Sequence, residues 1–466
     1  MLYDGRVMAG KGAALVLPLS PLDGRYQEKV KELREYFSEE ALISYRVKVE
    51  VKYLLELVRF LAPTFSGSPQ LPRRSRGDSA DLKSLSTESS KKLLHWSNNL
   101  SDKDVARVKK IEAKIRHDVK AVEYVIGEKL TKMGLARLVP WVHWGLTSED
   151  TNNLSYGLMV VGAKEKVVLP AMRTLVDKLS GLARVWAGTV MPARTHGQVA
   201  VPTTLGKEMA VFVSRFSWWL KKFAEVKPGG KLNGAVGNYN AMVKIYPKKD
   251  WLGFSRKFVA GLGLTPTLIT TQIEPGTQLV YAFDLMRQFN NVGLNLAADL
   301  WQYIAFDYLK QAAVKDEVGS STMPHKVNPI DFENAEGNLK LANGMLAVLA
   351  DKLPVSRLQR DLSDSTVKRN IGVAWGYSLL AWKTLTDGLA KVAPNKNKLR
   401  QELEAHPEML AEAWQLSLRK RGEAGAYEKV KDKTRGKPRE ELKEIKMWKA
   451  ADYVGLAEKL AKMRVG

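Results

Sequence analysis

The sequence predicts an all-α fold with a long helical bundle at its centre. Large apolar side chains recur every three or four residues across 205–223, and again across 279–303. Alternating apolar and polar residues, the pattern of half-buried strands, do not occur at comparable length. Helices with one apolar stripe are stable when the stripes pack against each other, so these two stretches predict a bundle.

The texture of the sequence divides the 466 residues into three predicted domains. Residues 1–138 are mixed and helical, with a low-complexity insertion at 63–90 that indicates an exposed loop. The long-helix bundle occupies 139–388, and 389–466 forms a small helical domain whose shorter stretches are broken by prolines. Within this last domain, the Lys- and Glu-rich run 440–446 indicates a solvated helix.

Composition limits the possible classes of function. With 45% hydrophobic and 26% charged residues the chain is ordinary globular material, and its apolar runs are too interrupted by charge to span a bilayer. The absence of cysteine excludes disulfides, thiolate metal sites and a cysteine nucleophile, and it fits an expected cytoplasmic location. A net charge of +23, from 73 basic and 50 acidic residues, favours anionic partners, either nucleic acid or small polyanions.

Several common catalytic motifs are absent from the sequence. Residues 5–11 resemble a phosphate-binding loop, but Gly12 occupies the position of the magnesium-binding Ser or Thr. The glycines between 229 and 237 have the wrong spacing for a dinucleotide fingerprint, and no two histidines have metal-ligand spacing. We therefore expect neither a metal nor a cofactor.

The segment with the strongest chemical pattern is 319–329, GSSTMPHKVNP. Its first residues form a flexible, hydroxyl-rich stretch, and Asn328 followed by Pro329 predicts a helix with Asn as its cap. Lys326 and Asn328, two apart on extended backbone, can point to the same side, where the helix N-terminus adds donors. Such a loop suits a carboxylate ligand, while composition alone favours an ordinary surface turn equally.

This segment resembles the signature loop of the fumarase/aspartase superfamily, whose members eliminate fumarate from substituted succinates. Six further segments narrow the resemblance to the bacterial-type branch of the adenylosuccinate lyase family, from about residue 18 to the C-terminus. They are SPLDGRY at 20–26, RHDV at 116–119, TSED at 147–150, THGQ at 195–198, TQIEP at 271–275 and QRDLSDST at 359–366. The resemblance implies an all-α fold in which the central helices of four chains form one tetrameric core of about twenty helices.

The resemblance also implies catalytic roles. Ser320 matches the family's catalytic base, and His196 matches the general acid that protonates the departing nitrogen. Glu333 would pair with this histidine and raise its proton affinity. Judged from their positions alone, His196 is more readily a capping or core residue, and Glu333 could simply complement the dipole of its helix.

The remaining matches are residues that the resemblance places around the substrate. Arginine suits this task because its planar fork binds phosphate and carboxylate groups through paired hydrogen bonds. Thr147 and Ser148 also precede a predicted helix in which Asp150 completes a capping-box pattern, and capping is compatible with binding a carboxylate. The predicted substrate-binding residues are Arg25, Tyr26, Arg116, His117, Asp118, Thr147, Ser148, Gln272, Ser321, Lys326, Asn328, Asn334, Arg360, Ser365, Thr366 and Arg369.

The implied reaction is cleavage of adenylosuccinate to AMP and fumarate. The family also carries out the equivalent cleavage of the succinyl-carboxamide ribotide (SAICAR) of purine synthesis to AICAR. Such a nucleotide carries a phosphate and two carboxylates, which gives the net charge of +23 a reason. The implied partners are this small purine nucleotide and further copies of the chain in a homotetramer with shared active sites, but neither nucleic acid nor a membrane.

Alternatives remain open on the sequence alone. Another lyase of the superfamily, acting on argininosuccinate or malate, would use the same base and acid, although the 25–26 and 365–366 segments suit a nucleotide phosphate better. A basic nucleic-acid-binding protein would place aromatic residues among its cations, and Trp218 and Trp219 invite that interpretation, but their helical spacing predicts packing. An inactive homologue is disfavoured because the predicted base and acid are both present.

Overall fold

The computed structural model describes residues 18–62, 85–313, 322–437, 442, 445 and 448–464. Two of the predicted site residues, Ser320 and Ser321, lie outside these ranges, as do most of the 63–90 insertion and much of the run 440–446. Helices dominate the described residues, which confirms the predicted all-α class. None of the described helices combines the length and the apolar composition that crossing a bilayer requires.

The helices are numbered in chain order, and the two long periodic stretches of the sequence fall in α9 and α12, as predicted. The bounds are α1 (Gln27–Val30), α2 (Arg34–Phe37), α3 (Glu39–Leu61), α4 (Thr87–Asn98), α5 (Asp102–Ile115), α6 (Asp118–Lys132), α7 (Ser148–Ala163), α8 (Leu169–Val185), α9 (Leu205–Glu225), α10 (Asn240–Ile245), α11 (Trp251–Gly261), α12 (Thr277–Ala305), α13 (Ile330–Lys352), α14 (Ser363–Lys368), α15 (Ile371–Ala390), α16 (Lys396–Ala405), α17 (Ala411–Lys420), α18 (Ala426–Thr434) and α19 (Ala457–Ala461).

The described strands form short two-stranded pairs. They are β1 (Val190–Thr195), β2 (Gln198–Thr204), β3 (Gly229–Gly230), β4 (Thr265–Pro266), β5 (Leu309–Gln311) and β6 (Val392–Pro394). The pairs β1–β2 and β5–β6 are antiparallel, and β3–β4 is parallel. The β1–β2 hairpin matters most for function because it carries one of the predicted catalytic residues.

The chain divides into two compact units, each built from segments that are distant in sequence. The first unit comprises the described residues within Met1–Ala163, Gly229–Pro275 and Ser356–Leu380. The second comprises those within Lys164–Pro228, Gly276–Val355 and Ala381–Gly466. The three-domain division inferred from the texture of the sequence stays a prediction.

The first unit is organised around α3, which buries apolar side chains on two faces. Val51 and Leu54 belong to one cluster, in which α3 packs with α4, α5 and α6. Tyr53 and Leu57 belong to a second cluster, in which α3 packs with α7 and α11. Each fully buried leucine or valine contributes roughly 1.5–3 kcal/mol, so a helix that is covered on both sides is the natural centre of this unit.

The second unit is a bundle in which α9 packs against α8 and α12, and α12 against α13. Its interior includes aromatic rings in contact, with the Phe289 centroid 4.6 Å from that of Phe216 and 5.2 Å from that of Trp382. The buried indole of Trp382 donates to Asn290 Oδ1 at 2.9 Å, so its polar atom is satisfied. Gly206 lets α9 approach α8 closely, because a Cβ at this position would collide with the backbone at Ala183.

Two local features differ from the sequence-based expectations. Helix α4 begins at Thr87, inside the range assigned to the insertion, and Ser86 caps it by accepting a hydrogen bond from Ser89 N at 3.0 Å. The packing predicted for Trp218 is wrong within a single chain, because this side chain is 55% exposed on α9. Helical spacing identified the helix correctly but not which of its faces the chain covers.

Candidate active site

The predicted site residues fall into two groups, one in each unit. The second unit holds the predicted acid and its pairing carboxylate, together with residues that follow the signature loop: His196, Glu333, Lys326, Asn328 and Asn334. The first unit holds the other described members of the predicted set, which are Arg25, Tyr26, Arg116, His117, Asp118, Thr147, Ser148, Gln272, Arg360, Ser365, Thr366 and Arg369. Ser320 and Ser321 lie outside the described residues.

His196 lies in the two-residue turn between β1 and β2. Thr195 pairs with Gln198 across this turn, and both turn residues have positive φ, 52° for His196 and 75° for Gly197. This is the pattern of a type I′ turn, whose twist matches that of the flanking strands. The left-handed conformation costs a non-glycine residue roughly 1–2 kcal/mol, so the surrounding structure holds the histidine against its local preference.

The imidazole of His196 is exposed, and within the described ranges it makes no hydrogen bond or ion pair. A ring in this position is accessible to a ligand. The hairpin was not predicted from the sequence. The available signal was the His-Gly pair, which suits a primed turn less well than Asn-Gly does.

Glu333 and Asn334 lie in the first turns of α13, as predicted. Glu333 is exposed, and its Oε1 accepts a hydrogen bond from Trp301 Nε1 at 3.1 Å. Among the described residues of one chain, no hydrogen bond or ion pair joins Glu333 to His196. Their pairing therefore stays a prediction. Asn334 Oδ1 accepts from Asn338 Nδ2 at 3.0 Å, one turn further along the helix.

The described end of the signature segment forms a turn and then leads into α13. Lys326 is exposed, and its backbone N–H donates to Met323 O at 3.1 Å. The predicted capping role of Asn328 is wrong, because α13 begins at Ile330 with Pro329 in the capping position. The ψ of Pro329 is 48°, which is not helical, so this residue cannot be the first of the helix.

In the first unit, Asp118 connects two arginines. Its Oδ2 lies 2.6 Å from Arg46 Nη2 and 3.3 Å from Arg369 Nη2, and its Oδ1 accepts from Val119 N at 2.8 Å. Burial alone would raise the pKa of the Asp118 carboxyl, but Arg46 and these hydrogen bonds hold the pKa below its ordinary value. Asp118 is thus a fixed anion that orients Arg369, a predicted ligand of the substrate.

His117 and Arg116 join the helices on either side of them. Arg116 ends α5 in the left-handed conformation, with φ of 54°. His117 caps α6, because its Nδ1 accepts a hydrogen bond from Lys120 N at 3.1 Å. Since Nδ1 accepts here, a neutral imidazole carries its proton on Nε2, and that atom is the donor a substrate could use.

Thr147 and Ser148 stand at the start of α7 above a buried ion pair. Asp150 and Lys231 are both fully buried, and Asp150 Oδ1 lies 2.8 Å from Lys231 Nζ. Asp150 Oδ2 accepts from Thr147 N at 2.9 Å, which is one half of the predicted capping box. The same carboxylate accepts from the backbone N–H groups of Asn233 and Gly234. It therefore connects the loop before α7 to the loop after β3.

Arg360 lies in a second buried cluster of charges, which sequence reasoning did not predict. Its Nη2 lies 3.2 Å from Glu149 Oε2, and Lys368 Nζ contacts Glu149 Oε1 at 2.8 Å and Asp364 Oδ2 at 2.9 Å. Burial alone would lower the pKa of Lys368, but Glu149 and Asp364 raise it above its ordinary value. Part of the Arg360 fork is therefore engaged within the protein.

The other predicted residues of this unit lie on its loops and helix ends. Gln272 donates through Nε2 to Ala235 O at 2.9 Å. Ser365, whose Oγ donates to Leu362 O at 2.8 Å, and Thr366 lie on α14. Arg25 is exposed, and its guanidinium carbon lies 5.8 Å from the ring centroid of Tyr26.

Three charged residues that pair with acids near the predicted ligands were absent from the sequence-based set. They are Arg46, which contacts Asp118, Lys231, which contacts Asp150, and Lys368, which contacts Glu149. Arg46 could have been suspected, because it interrupts the apolar pattern of α3 between Ile43 and Val47. For Lys231 and Lys368 no local pattern indicates a buried partner.

The chain is similar to known proteins in both sequence and structure. The lyase family model matches residues 24–344, and the model of the adenylosuccinate lyase C-terminal domain matches 356–463. The adenylosuccinate lyase of Haemophilus influenzae is 43% identical over 459 residues, covering 95% of this chain and 97% of that protein. Those of Escherichia coli and Dictyostelium discoideum are each 42% identical, covering 94% and 90% of this chain and 96% and 88% of their own lengths.

Solved structures with the same fold include more distant proteins. A fumarate lyase from Mesorhizobium sp. BNC1 superposes with a TM-score of 0.67 at 17% identity, covering 92% of this chain and 96% of that one. The 3-carboxy-cis,cis-muconate lactonizing enzyme from Pseudomonas putida superposes with a TM-score of 0.66 at 18% identity, covering 92% and 95%. At such identity these structures are evidence for the fold alone.

Proposed function

The chain belongs to the adenylosuccinate lyase family of the fumarase/aspartase superfamily, and from that premise we propose that it removes fumarate from adenylosuccinate to leave AMP. The same elimination on SAICAR gives AICAR, because both substrates carry the succinyl group on a nitrogen. The observation that carries the proposal is the similarity over nearly the whole length, 43% over 95% of the chain. The exposed His196 in its strained turn supports it.

In the proposed mechanism two side chains transfer protons in opposite directions. Ser320, as the base, takes a proton from the succinyl carbon next to a carboxylate, and the electrons of that C–H bond move into the carboxylate. These electrons then return from the carboxylate to form the C=C bond of fumarate as the C–N bond breaks. The electron pair of the C–N bond stays on the nitrogen, and His196 gives that nitrogen a proton. General acid and base catalysis are each typically worth about 10²–10⁴-fold in rate.

Fixed positive charge stabilises the dianionic intermediate in this proposal. Lys326 and Asn328, exposed or half-buried just after the signature loop, supply an ammonium group and an amide for the developing negative charge. A free serine hydroxyl is a weak base, so exclusion of water around the bound substrate is part of the proposed mechanism.

The residues of the first unit are proposed to bind the parts of the substrate that do not react. Arg25, Ser365 and Arg369 suit the phosphate, and Thr147 and Ser148 suit a carboxylate. Binding energy from these remote groups can be used to hold the reacting carbon and nitrogen in line with the base and acid.

The active sites are proposed to be shared within a homotetramer. Large apolar side chains stay exposed on the bundle helices of the second unit: Trp218, Trp301, Leu341 and Val348. Several large apolar side chains exposed on neighbouring bundle helices favour burial against further copies of the chain. Sharing would also give Glu333 and His196, which do not meet within one chain, the chance to pair between chains.

The proposal is tested by adenylosuccinate cleavage with the purified protein. Turnover is followed by ultraviolet absorbance, fumarate is quantified separately, and Ser320→Ala is the control. We expect turnover that the substitution lowers by at least about 10²-fold, the lower bound for loss of a general base. A folded protein that cleaves argininosuccinate or malate, but neither adenylosuccinate nor SAICAR, would contradict the proposed substrate.

A further inference from the structure

Arg194 stands two residues before His196, near the end of β1, and its guanidinium reaches across the hairpin turn. Its Nη1 donates to Gly197 O at 3.2 Å, the carbonyl of the second turn residue. Its Nε and Nη2 donate to the Tyr308 hydroxyl at 3.2 and 3.0 Å. One side chain therefore connects the turn to a second, separate element.

The anchor that Arg194 holds is itself rigid. Tyr308 is 1% exposed, and its backbone carbonyl accepts from Asn395 N at 2.8 Å. It directly precedes β5, which pairs with β6 through Leu309 and Pro394. Side chains locked by packing and hydrogen bonds make good anchors for functional groups.

Two further contacts fix the plane of the guanidinium. The Arg194 guanidinium carbon lies 4.9 Å from the ring centroid of Phe306, within the range of a cation–π contact. Arg194 Nη2 also lies 3.4 Å from Glu402 Oε2 on α16. With a ring on its face and acceptors along its edge, the fork has little freedom to rotate.

The turn needs such a contact because the residues His196 and Gly197 do not by themselves favour a type I′ turn. A type I′ turn favours Asn-Gly, whereas here a histidine takes the left-handed position. The Gly197 carbonyl belongs to the peptide that closes the turn, so holding this oxygen limits how far the turn can rotate. The direction of the Cα–Cβ bond of His196 depends on that rotation.

We propose that Arg194 is a positioning residue that sets the direction of the His196 imidazole by bracing the turn against Tyr308. This inference rests on the proposed role of His196 as the general acid. Proton transfer to a departing nitrogen requires heavy atoms within about 2.6–3.2 Å, and a misplacement of about 1 Å can cost roughly 10²-fold in rate.

A purely structural role predicts something different. A residue that only supports the fold lowers kcat by the same factor whether or not the imidazole is present. Nonadditivity with His196 separates the two roles, because a residue that acts only through His196 has nothing to act on once the imidazole is gone.

The experiment compares kcat and KM for adenylosuccinate in Arg194→Met and Tyr308→Phe. We expect kcat to fall roughly 10- to 100-fold in Arg194→Met and roughly 3- to 10-fold in Tyr308→Phe, with KM within about threefold of the original. Tyr303→Phe is the matched control, because it also removes a tyrosine hydroxyl. That hydroxyl donates to Glu208 Oε2 at 3.5 Å and makes no hydrogen bond with Arg194. Its kcat should be unchanged.

The second arm places Arg194→Met in a His196→Asn background. We expect the residual kcat of His196→Asn to change by less than about twofold, because the brace then has no imidazole to orient. An equal fold-loss in both backgrounds, or an unchanged kcat in Arg194→Met, would overturn the inference. If Arg194→Met fails to fold by circular dichroism, Tyr308→Phe and its double variant with His196→Asn decide the matter.

Failure of the brace is distinguishable from failure of the proposed function. If His196→Asn keeps full activity, the proposed role of the histidine is wrong and the brace, which acts through it, falls with it. If His196→Asn is inactive while Tyr308→Phe and Arg194→Met keep their kcat, only the brace is refuted.

Discussion

The two units treat their charged residues in opposite ways. In the first, several predicted substrate ligands lie beside buried or partly buried ion pairs, among them Asp150–Lys231 and Asp118–Arg46. In the second, the described members of the predicted catalytic set, such as His196 and Glu333, are exposed. One unit has its polar groups fixed before any ligand arrives, and the other leaves them accessible.

This difference suits the two units to different parts of the proposed reaction, substrate binding in the first and proton transfer in the second. Groups that bind the unreacting ends of a substrate gain from being held in advance, because little ordering cost is left to be met on binding. Groups that exchange protons must stay accessible until the substrate is enclosed. The proposed sharing of active sites then implies that the second unit is functionally complete only beside another chain.

The strongest test of that last implication is complementation between two inactive proteins. Ser320→Ala and His196→Ala chains are mixed and reassembled. If each site takes its base and its acid from different chains, random mixing gives intact pairs in about a quarter of the sites. Activity should rise from near zero towards that fraction, measured as adenylosuccinate cleavage.

The control for complementation mixes His196→Ala with His196→Asn, which cannot restore an intact site. Subunit exchange is verified separately with a mass-tagged chain in native mass spectrometry. Exchange without any recovery of activity would mean that base and acid come from one chain, and the proposed sharing would be wrong.

The next largest predicted effect concerns the buried Asp150–Lys231 ion pair of the first unit. Lys231→Met leaves Asp150 buried without its cation, which typically costs about 3–5 kcal/mol. We expect a clear loss of stability, measured as the shift in the urea unfolding midpoint. Lys257→Met on α11 is the matched control, since this exposed lysine should change the free energy of unfolding by less than about 0.5 kcal/mol. Equal shifts in both variants would contradict a special role for the pair.

The long helices could be predicted from the sequence, but the short strands that connect them could not. The apolar spacing at 205–223 and 279–303 identified α9 and α12, because burial on a helix leaves a repeat of three and four residues. The β1–β2 hairpin was missed, because Pro192 and Pro202 face each other in it and proline argues against a strand.

In the candidate site, too, some residues could be predicted from the sequence and others could not. His196 and Asp118 could be predicted because each lies in a short motif of consecutive residues that resembles the family pattern. The residues that support them lie far away: Arg46 is 72 positions from Asp118, and Arg194 is 114 from Tyr308. Contacts over such distances leave no local pattern, and only the fold reveals them.

The smallest predicted effect is the pH dependence that Asp118 gives to stability. Its pKa in the folded protein lies below the ordinary value because Arg46, at 2.6 Å, favours the ionised form. The folded state therefore binds fewer protons here than the unfolded state, and the stabilisation is complete above the ordinary carboxyl pKa of about 3.9. It is lost as the pH falls from there through the lower pKa of the folded state.

Asp118→Asn should accordingly lower the free energy of unfolding by about 1.5–3 kcal/mol at pH 7, the usual worth of hydrogen bonds to a charged group. The difference from the original protein should shrink towards zero as the pH falls through the lowered pKa of Asp118 in the folded state. Asp177→Asn, an exposed carboxylate on α8, serves as the control and should show no such trend. A constant difference across the acid range would mean that Asp118 acts through its shape and hydrogen bonds and not through its charge, and that the first unit is less dependent on ion pairs than its geometry indicates.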